Sequence, residues 1–246
     1  MKKILVLSMF FCGFSAFYAQ NVSEMTYLDD GKNMEGFGFI NPVCSKDVLV
    51  KTWKDFIKDN GGKAKGGIIS KITGTGMIFA PSGKSWYGNF AYYFNDGQKD
   101  MTILTSFQDE RGIFLTSENT PEEVSYASAA LEKFQVNVQR NCYSDDLANA
   151  QSYKESLQKE KSKNLDRIKF LERNIQSDNT KMSVLEPNAL TDKDMKKLQN
   201  MQTQISKNQQ ERQTLQQRNI EIDKELPFQE QVIDDFQEKL NNIENK

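Results

Sequence analysis

Few residue groupings in this chain have the types and spacing to do chemistry, and each lacks a requirement. Ser82-Gly83-Lys84-Ser85 ends like a phosphate-cradling loop. The first glycine of that motif would fall at Ile78, however, and no apolar helix follows. Gly61-Gly-Lys-Ala-Lys-Gly-Gly67 concentrates glycine and lysine and reads more simply as a helix-to-strand connection than as an anion site. Ser156 and Lys159 have the Ser-x-x-Lys spacing of some acyl enzymes without the companion motifs. Asp29-Asp30, Asp145-Asp146 and Asp234-Asp235 are adjacent pairs, whereas a calcium loop needs alternating oxygen ligands and a turn glycine; they read as solvated surface.

The chain has no histidine, which removes Ser-His-Asp and Cys-His relays, histidine metal sites and the usual general base near neutral pH. Its three cysteines include Cys12 within an N-terminal apolar run, leaving Cys44 and Cys142. Two thiols are too few for a Cys₄ zinc site or an iron–sulfur cluster. The expectation is therefore no catalytic residues, no metal and no cofactor.

Lys2 and Lys3, the apolar run Ile4 to Phe17 and the small Ala19 have the layout of a bacterial-type secretory signal over residues 1–19. The run is shorter than the ~20 residues that span a bilayer, so an exported protein is expected without a transmembrane segment after signal removal. It would be periplasmic in the simplest case, at the cell surface or outside in another. Without Lys2 and Lys3 the balance is 30 basic to 34 acidic residues, which gives no global attraction for nucleic acid. In an oxidising compartment Cys44 and Cys142 are expected either to pair or to lie as two separate buried thiols.

The elements that position these residues fall into two halves. All 14 glycines lie at or before Gly112, and only Tyr153, Phe170, Phe228 and Phe236 of the 26 aromatic residues lie beyond residue 145. The expected organisation is an α+β head over residues 20–145, an antiparallel sheet with two packing helices, followed by an arm over residues 146–246. After a loose start, the head reads as a strand at Glu35 to Ile40. A helix capped by Ser45 follows, with Val48, Leu49, Trp53, Phe56 and Ile57 on one side, ending at Asn60-Gly61-Gly62. Ile68 to Ile72 and Met77 to Phe79, after Gly74-Thr-Gly76, alternate as strands. Asp96-Gly97 is a favoured two-residue hairpin turn that would pair Tyr92 with Met101, Phe90 with Ile103 and Trp86 with Phe107. That leaves Tyr87 and Tyr93 on the opposite, water-facing side, open to a stacking ligand or to packing near Ile68–Ile72. After Arg111-Gly112 a short strand is expected at Ile113 to Thr116. Thr120 as cap and Pro121 at the first helical position then start a helix with Val124, Ala127, Leu131, Phe134 and Val138 as its apolar stripe.

In the arm a heptad runs without a skip. Its a positions are Leu198, Ile205, Arg212, Asn219, Leu226, Ile233 and Leu240, and its d positions Met201, Asn208, Leu215, Ile222, Gln229, Phe236 and Ile243. A less regular stripe, Leu157, Leu165, Ile168, Leu171, Ile175, Met182 and Leu185, precedes Pro187. The expectation is an antiparallel helical hairpin, a coiled coil with its tip near 186–191, that brings Asn164 near Arg212. The alternative is an open helix whose seam pairs with another subunit. Pro227 is expected to kink the return helix, with Phe236, Leu240 and Ile243 packing beside the 121–145 helix.

At Trp53-Lys-Asp-Phe-Ile-Lys-Asp-Asn-Gly-Gly-Lys63, at Arg111-Gly-Ile-Phe-Leu-Thr-Ser-Glu118 and at Pro121, the chain resembles a recurring group of exported bacterial proteins with a small α+β head and a charged helical arm. The resemblance implies that architecture over most of the mature chain, and no activity or functional residues. The function expected is a non-enzymatic envelope scaffold or interaction module. Its partners would be other envelope proteins or further copies of itself, met through the arm. Alternatives are a periplasmic holdase that clamps clients with the arm, or a carbohydrate- or small-ligand-binding head that uses Tyr87 and Tyr93.

Overall fold

The computed structural model describes residues 22–29, 31–66, 72–94, 100–186 and 191–245. The chain divides between Gln139 and Arg140 into two compact units. The first holds β1 (Ser23–Asp29), β2 (Lys32–Pro42), α1 (Lys46–Asp59), β3 (Lys63–Lys65), β4 (Thr73–Met77), β5 (Trp86–Phe94) and β6 (Asp100–Gln108). α2 (Pro121–Leu185) begins in the first unit and runs unbroken into the second, where α3 (Asp192–Glu244) returns antiparallel to it.

The strands form one antiparallel sheet in the order β1-β2-β6-β5-β4-β3. One face is covered by α1 and by the first turns of α2. Ser45 caps α1 by accepting the Val48 N–H, and Gly61, at φ 75°, lets the chain leave the helix through the left-handed region. Trp53 is fully buried, stacks at 5.2 Å on both Phe56 and Phe90, and donates its indole N–H to the Ile72 carbonyl at 3.0 Å. Ala127, Leu131, Phe134 and Val138 of α2 close this core, with Phe134 4.9 Å from Phe56. Acidic Glu122 and Glu123 occupy the first turn of α2, where the helix dipole favours them.

The other sheet face is not left to water as alternation alone predicts. Tyr27, Met34 and Leu104 form a second buried cluster, with Ala91 and Phe114 packed against it. Gly36 allows the approach: a Cβ there would drive into the Thr105 carbonyl.

Several local expectations need correction. The chain before Glu35 is not loose, since β1 pairs with β2 from Ser23↔Gly38 to Asp29↔Lys32. Gly74-Thr-Gly76 is part of β4 and does not merely precede a strand, and Lys63–Lys65 forms an edge strand inside the expected connection. Ile113–Thr116 supplies only an isolated bridge, Gln108↔Phe114. Thr120 turns its hydroxyl back to donate to the Thr116 carbonyl at 3.4 Å; its backbone carbonyl accepts the Val124 N–H.

In the β5–β6 hairpin Tyr92 pairs with Ile103, Phe90 with Thr105 and Gly88 with Phe107. The expected pairs Tyr92–Met101, Phe90–Ile103 and Trp86–Phe107 are therefore displaced by two residues. Side chains alternate with a period of two, so this slip leaves every residue on its expected face. The Asp96-Gly97 turn lies outside the described residues, as does most of the Ile68–Ile72 segment.

Candidate functional site

The second unit offers the most extended organised surface, and its geometry starts from the seam. Every a and d position of α3 is buried or half-buried: Ile205, Asn208, Asn219, Ile222 and Ile233 are buried. Leu198, Met201, Arg212, Leu215, Leu226, Gln229, Phe236, Leu240 and Ile243 are half-buried. The facing stripe of α2 is a second unbroken heptad of Ala150, Lys154, Leu157, Lys161, Asn164, Ile168, Leu171, Ile175, Asp178, Met182 and Leu185, all buried or half-buried. Leu165, which the sequence reading placed in that stripe, is exposed, and Asn164 takes the seam position beside it. Lys154, Lys161, Asn164 and Asp178 hid the repeat from a hydrophobic pattern. The 3-4 spacing, traced through charged residues, would have found it.

The register is set by polar contacts. Asn164 Nδ2 donates to Asn219 Oδ1 at 3.0 Å. On one side of this pair Arg167 is forked onto Glu211 at 2.7 and 3.1 Å; on the other Arg218 is forked onto Glu160 at 2.8 and 3.1 Å. Lys154 meets Glu230 at 2.8 Å, and Lys161 is ion-paired with Asp223. The expected Asn164–Arg212 neighbourhood is not formed. Asn219 replaces Arg212, one heptad further along α3. A seven-residue slip carries each a position onto another, so the same residues stay in the seam.

From this anchor, 21 residues of α2 remain to Leu185, whereas α3 starts 27 residues earlier at Asp192. The return helix overshoots by six residues, about 9 Å at 1.5 Å per residue. It begins with Thr191 accepting the Asp194 N–H, a capping-box variant. Pro227 lies inside an unbroken α3. Within this unit Phe236 packs on Tyr143, with ring centroids 6.3 Å apart.

The electrostatics follow these contacts. Hydrogen bonding from Arg218 holds the Glu160 carboxyl below its ordinary range, and Arg167 does the same to Glu211. Burial pushes the Tyr153 phenol up, and its hydrogen bond to Glu225 at 3.1 Å adds to that. Burial also raises the Asp146 carboxyl; neighbouring Asp145 reinforces the shift and Lys239 opposes it.

In the head, Tyr87 and Tyr93 are 43% and 44% exposed on the sheet face away from α1, so neither is packed away. The Tyr93 hydroxyl donates to the Leu28 carbonyl at 3.3 Å. Cys44 is buried in the first unit and Cys142 in the second, and each is disulfide-bonded. The most perturbed head carboxylate is Asp109, which sequence reasoning did not single out. Burial pushes its pKa up, but donors outweigh this and bring it to about 2. They are the Ile113 N–H at 3.0 Å, the Arg111 side chain and N–H, and Lys84 at 3.4 Å. These contacts brace the turn after β6.

Among the described residues no group of three or more His, Cys, Asp or Glu could hold a metal ion, and no helix is long and apolar enough to cross a membrane. The arm carries exposed apolar side chains away from its seam: Tyr153, Leu165, Phe170, Val184, Met195, Ile220 and Phe228. No protein-family model, curated protein or solved structure matches this chain.

Proposed function

We propose that the chain is a non-enzymatic exported protein of the bacterial envelope whose helical arm is a docking rod for other proteins. The observation that carries this reading is the pair of facing heptads, locked by Asn164–Asn219 and the flanking ion pairs. Such a seam is consumed within the chain. It leaves a stiff rod about 60 Å long, from ~40 residues at 1.5 Å each, whose outer faces remain open to partners. Lone exposed apolar residues are ordinary on any surface; seven on one rod offer anchor points for contacts. The signal-like N-terminus and the resemblance to exported proteins support the location.

The test is site-specific photo-cross-linking in intact cells, with the reactive group placed in turn at Leu165, Phe170 and Ile220. The reading expects discrete protein adducts from the arm positions. If the arm yields none while a soluble ligand protects Tyr87 and Tyr93 from modification, the ligand-binding head replaces it.

A further inference from the structure

We infer that two copies of this chain associate through their α3 helices, antiparallel about a two-fold axis at Ile220. This names one partner for the docking rod and rests on that reading.

The argument begins with charge. From Asp192 to Arg218, α3 carries six Lys and Arg and three Asp and Glu; from Asn219 to Asn245 it carries two and eight. The helix therefore has a basic half and an acidic half, with the sign changing beside Asn219. Several of these charges are spent on α2, as in Glu211–Arg167, Arg218–Glu160, Asp223–Lys161 and Glu230–Lys154. The polarity survives among exposed residues: Lys193, Lys196, Lys197 and Lys207 on one half, Asp234, Asp235, Glu238 and Glu244 on the other. None of these eight occupies a seam position.

A parallel pair would set like charges against each other, whereas an antiparallel pair sets the basic half of each copy on the acidic half of the next. The same surface then serves both copies, as a two-fold interface requires. Ile220 stands at the sign change, outside the seam and 50% exposed. An axis there brings Ile220 onto its own copy, Lys196 level with Glu244 and Lys207 beside Asp234. Gln199, Ile220 and Asn241 are spaced by whole heptads and so lie on one face of α3.

Cys44 and Cys142 are disulfide-bonded and Cys12 lies in the signal-like segment, so in the chain from Gln20 onward one added cysteine supplies a single free thiol. Under mild oxidation Ile220→Cys should form a covalent dimer. Gln199→Cys and Asn241→Cys should each form no covalent dimer alone and should cross-link to each other when mixed. By analytical ultracentrifugation the unmodified dimer should dissociate at least about tenfold more readily at high than at low salt. Lys207→Asp should weaken it by about tenfold, and adding Asp234→Lys in the same chain should restore it. Self-linking of Gln199→Cys or of Asn241→Cys would overturn the antiparallel geometry. A monomer at every salt concentration would overturn the association itself, whatever the in-cell cross-linking captures, so the two readings fail separately.

Discussion

The Asn164 side-chain amide meets the Asn219 side-chain oxygen at 3.0 Å across the helical hairpin, and this contact decides which heptad of α3 faces which heptad of α2. Asn219 is buried and Asn164 half-buried. Neither would choose the seam on transfer energy alone, but together they satisfy each other. A slip of one heptad would break the pair and the four inter-helix ion pairs around it at once.

Replacing Asn164 alone by leucine should therefore destabilise the arm by about 1–3 kcal/mol, because Asn219 is left buried without its partner. The double replacement Asn164→Leu with Asn219→Leu should be neutral or stabilising, while relaxing the register. Urea unfolding of the two single variants and the double variant measures the coupling. Strictly additive effects would show that the pair does not act as a unit.

Trp53→Ala should cost about 3–5 kcal/mol, by removing a fully buried ring stacked on Phe56 and Phe90 and leaving the Ile72 carbonyl unpaired. Thermal unfolding followed by near-ultraviolet circular dichroism reads this, and a loss below 1 kcal/mol would contradict the core described here.

Asp109 titrates at about 2 in the folded protein, below the ~3.9 of an unfolded aspartate. Its stabilising contribution is thus complete above about pH 4 and is lost as pH falls toward 2. Asp109→Asn should flatten the acid limb of the stability curve in that window and leave its neutral region with the same shape. An unchanged acid limb would assign the acid sensitivity elsewhere.

Cys44 and Cys142 are the residues for which the sequence offers a bridge, and linking them would close a loop of about a hundred residues, worth on the order of 4 kcal/mol. Peptide mapping without reductant should recover a single peptide pair joined through Cys44 and Cys142, and reduction should lower the melting temperature. Recovery of both cysteines in unlinked peptides would refute the pairing.

What was legible in the sequence was periodicity, and what escaped was position along the repeat. The β5–β6 pairing is displaced by two residues and the arm by seven, in each case one full period of its pattern. Face assignments therefore survived: Phe90 and Ile103 stay on the core side, and Ile222 stays in the seam. The partners did not, because a shift of one period costs nothing in the hydrophobic pattern and is decided by particular polar contacts. Lys154 and Lys161 concealed the α2 heptad because a lysine can lie half-buried on its aliphatic stem while its charge is paired at the rim, and Asp178 because its charge is paired with Lys181. β1 was invisible for another reason: only Tyr27 of its seven residues is buried, and the strand exists through pairing with β2. Tyr87 and Tyr93, which the sequence left open between a stacking ligand and packing near Ile68–Ile72, are exposed on the sheet. The charge polarity of α3 was present in the composition but acquires meaning only once the outer face of the helix is known.

Disulfide trapping within the arm tests the doubled-back rod most directly. Cysteines at 161 and 223, replacing an ion-paired lysine and aspartate, should cross-link rapidly within one chain, while the pair 161 and 216, one heptad away, should not. Preferential linking of 161 to 216, or linking of 161 to 223 only between chains, would contradict the hairpin and its register.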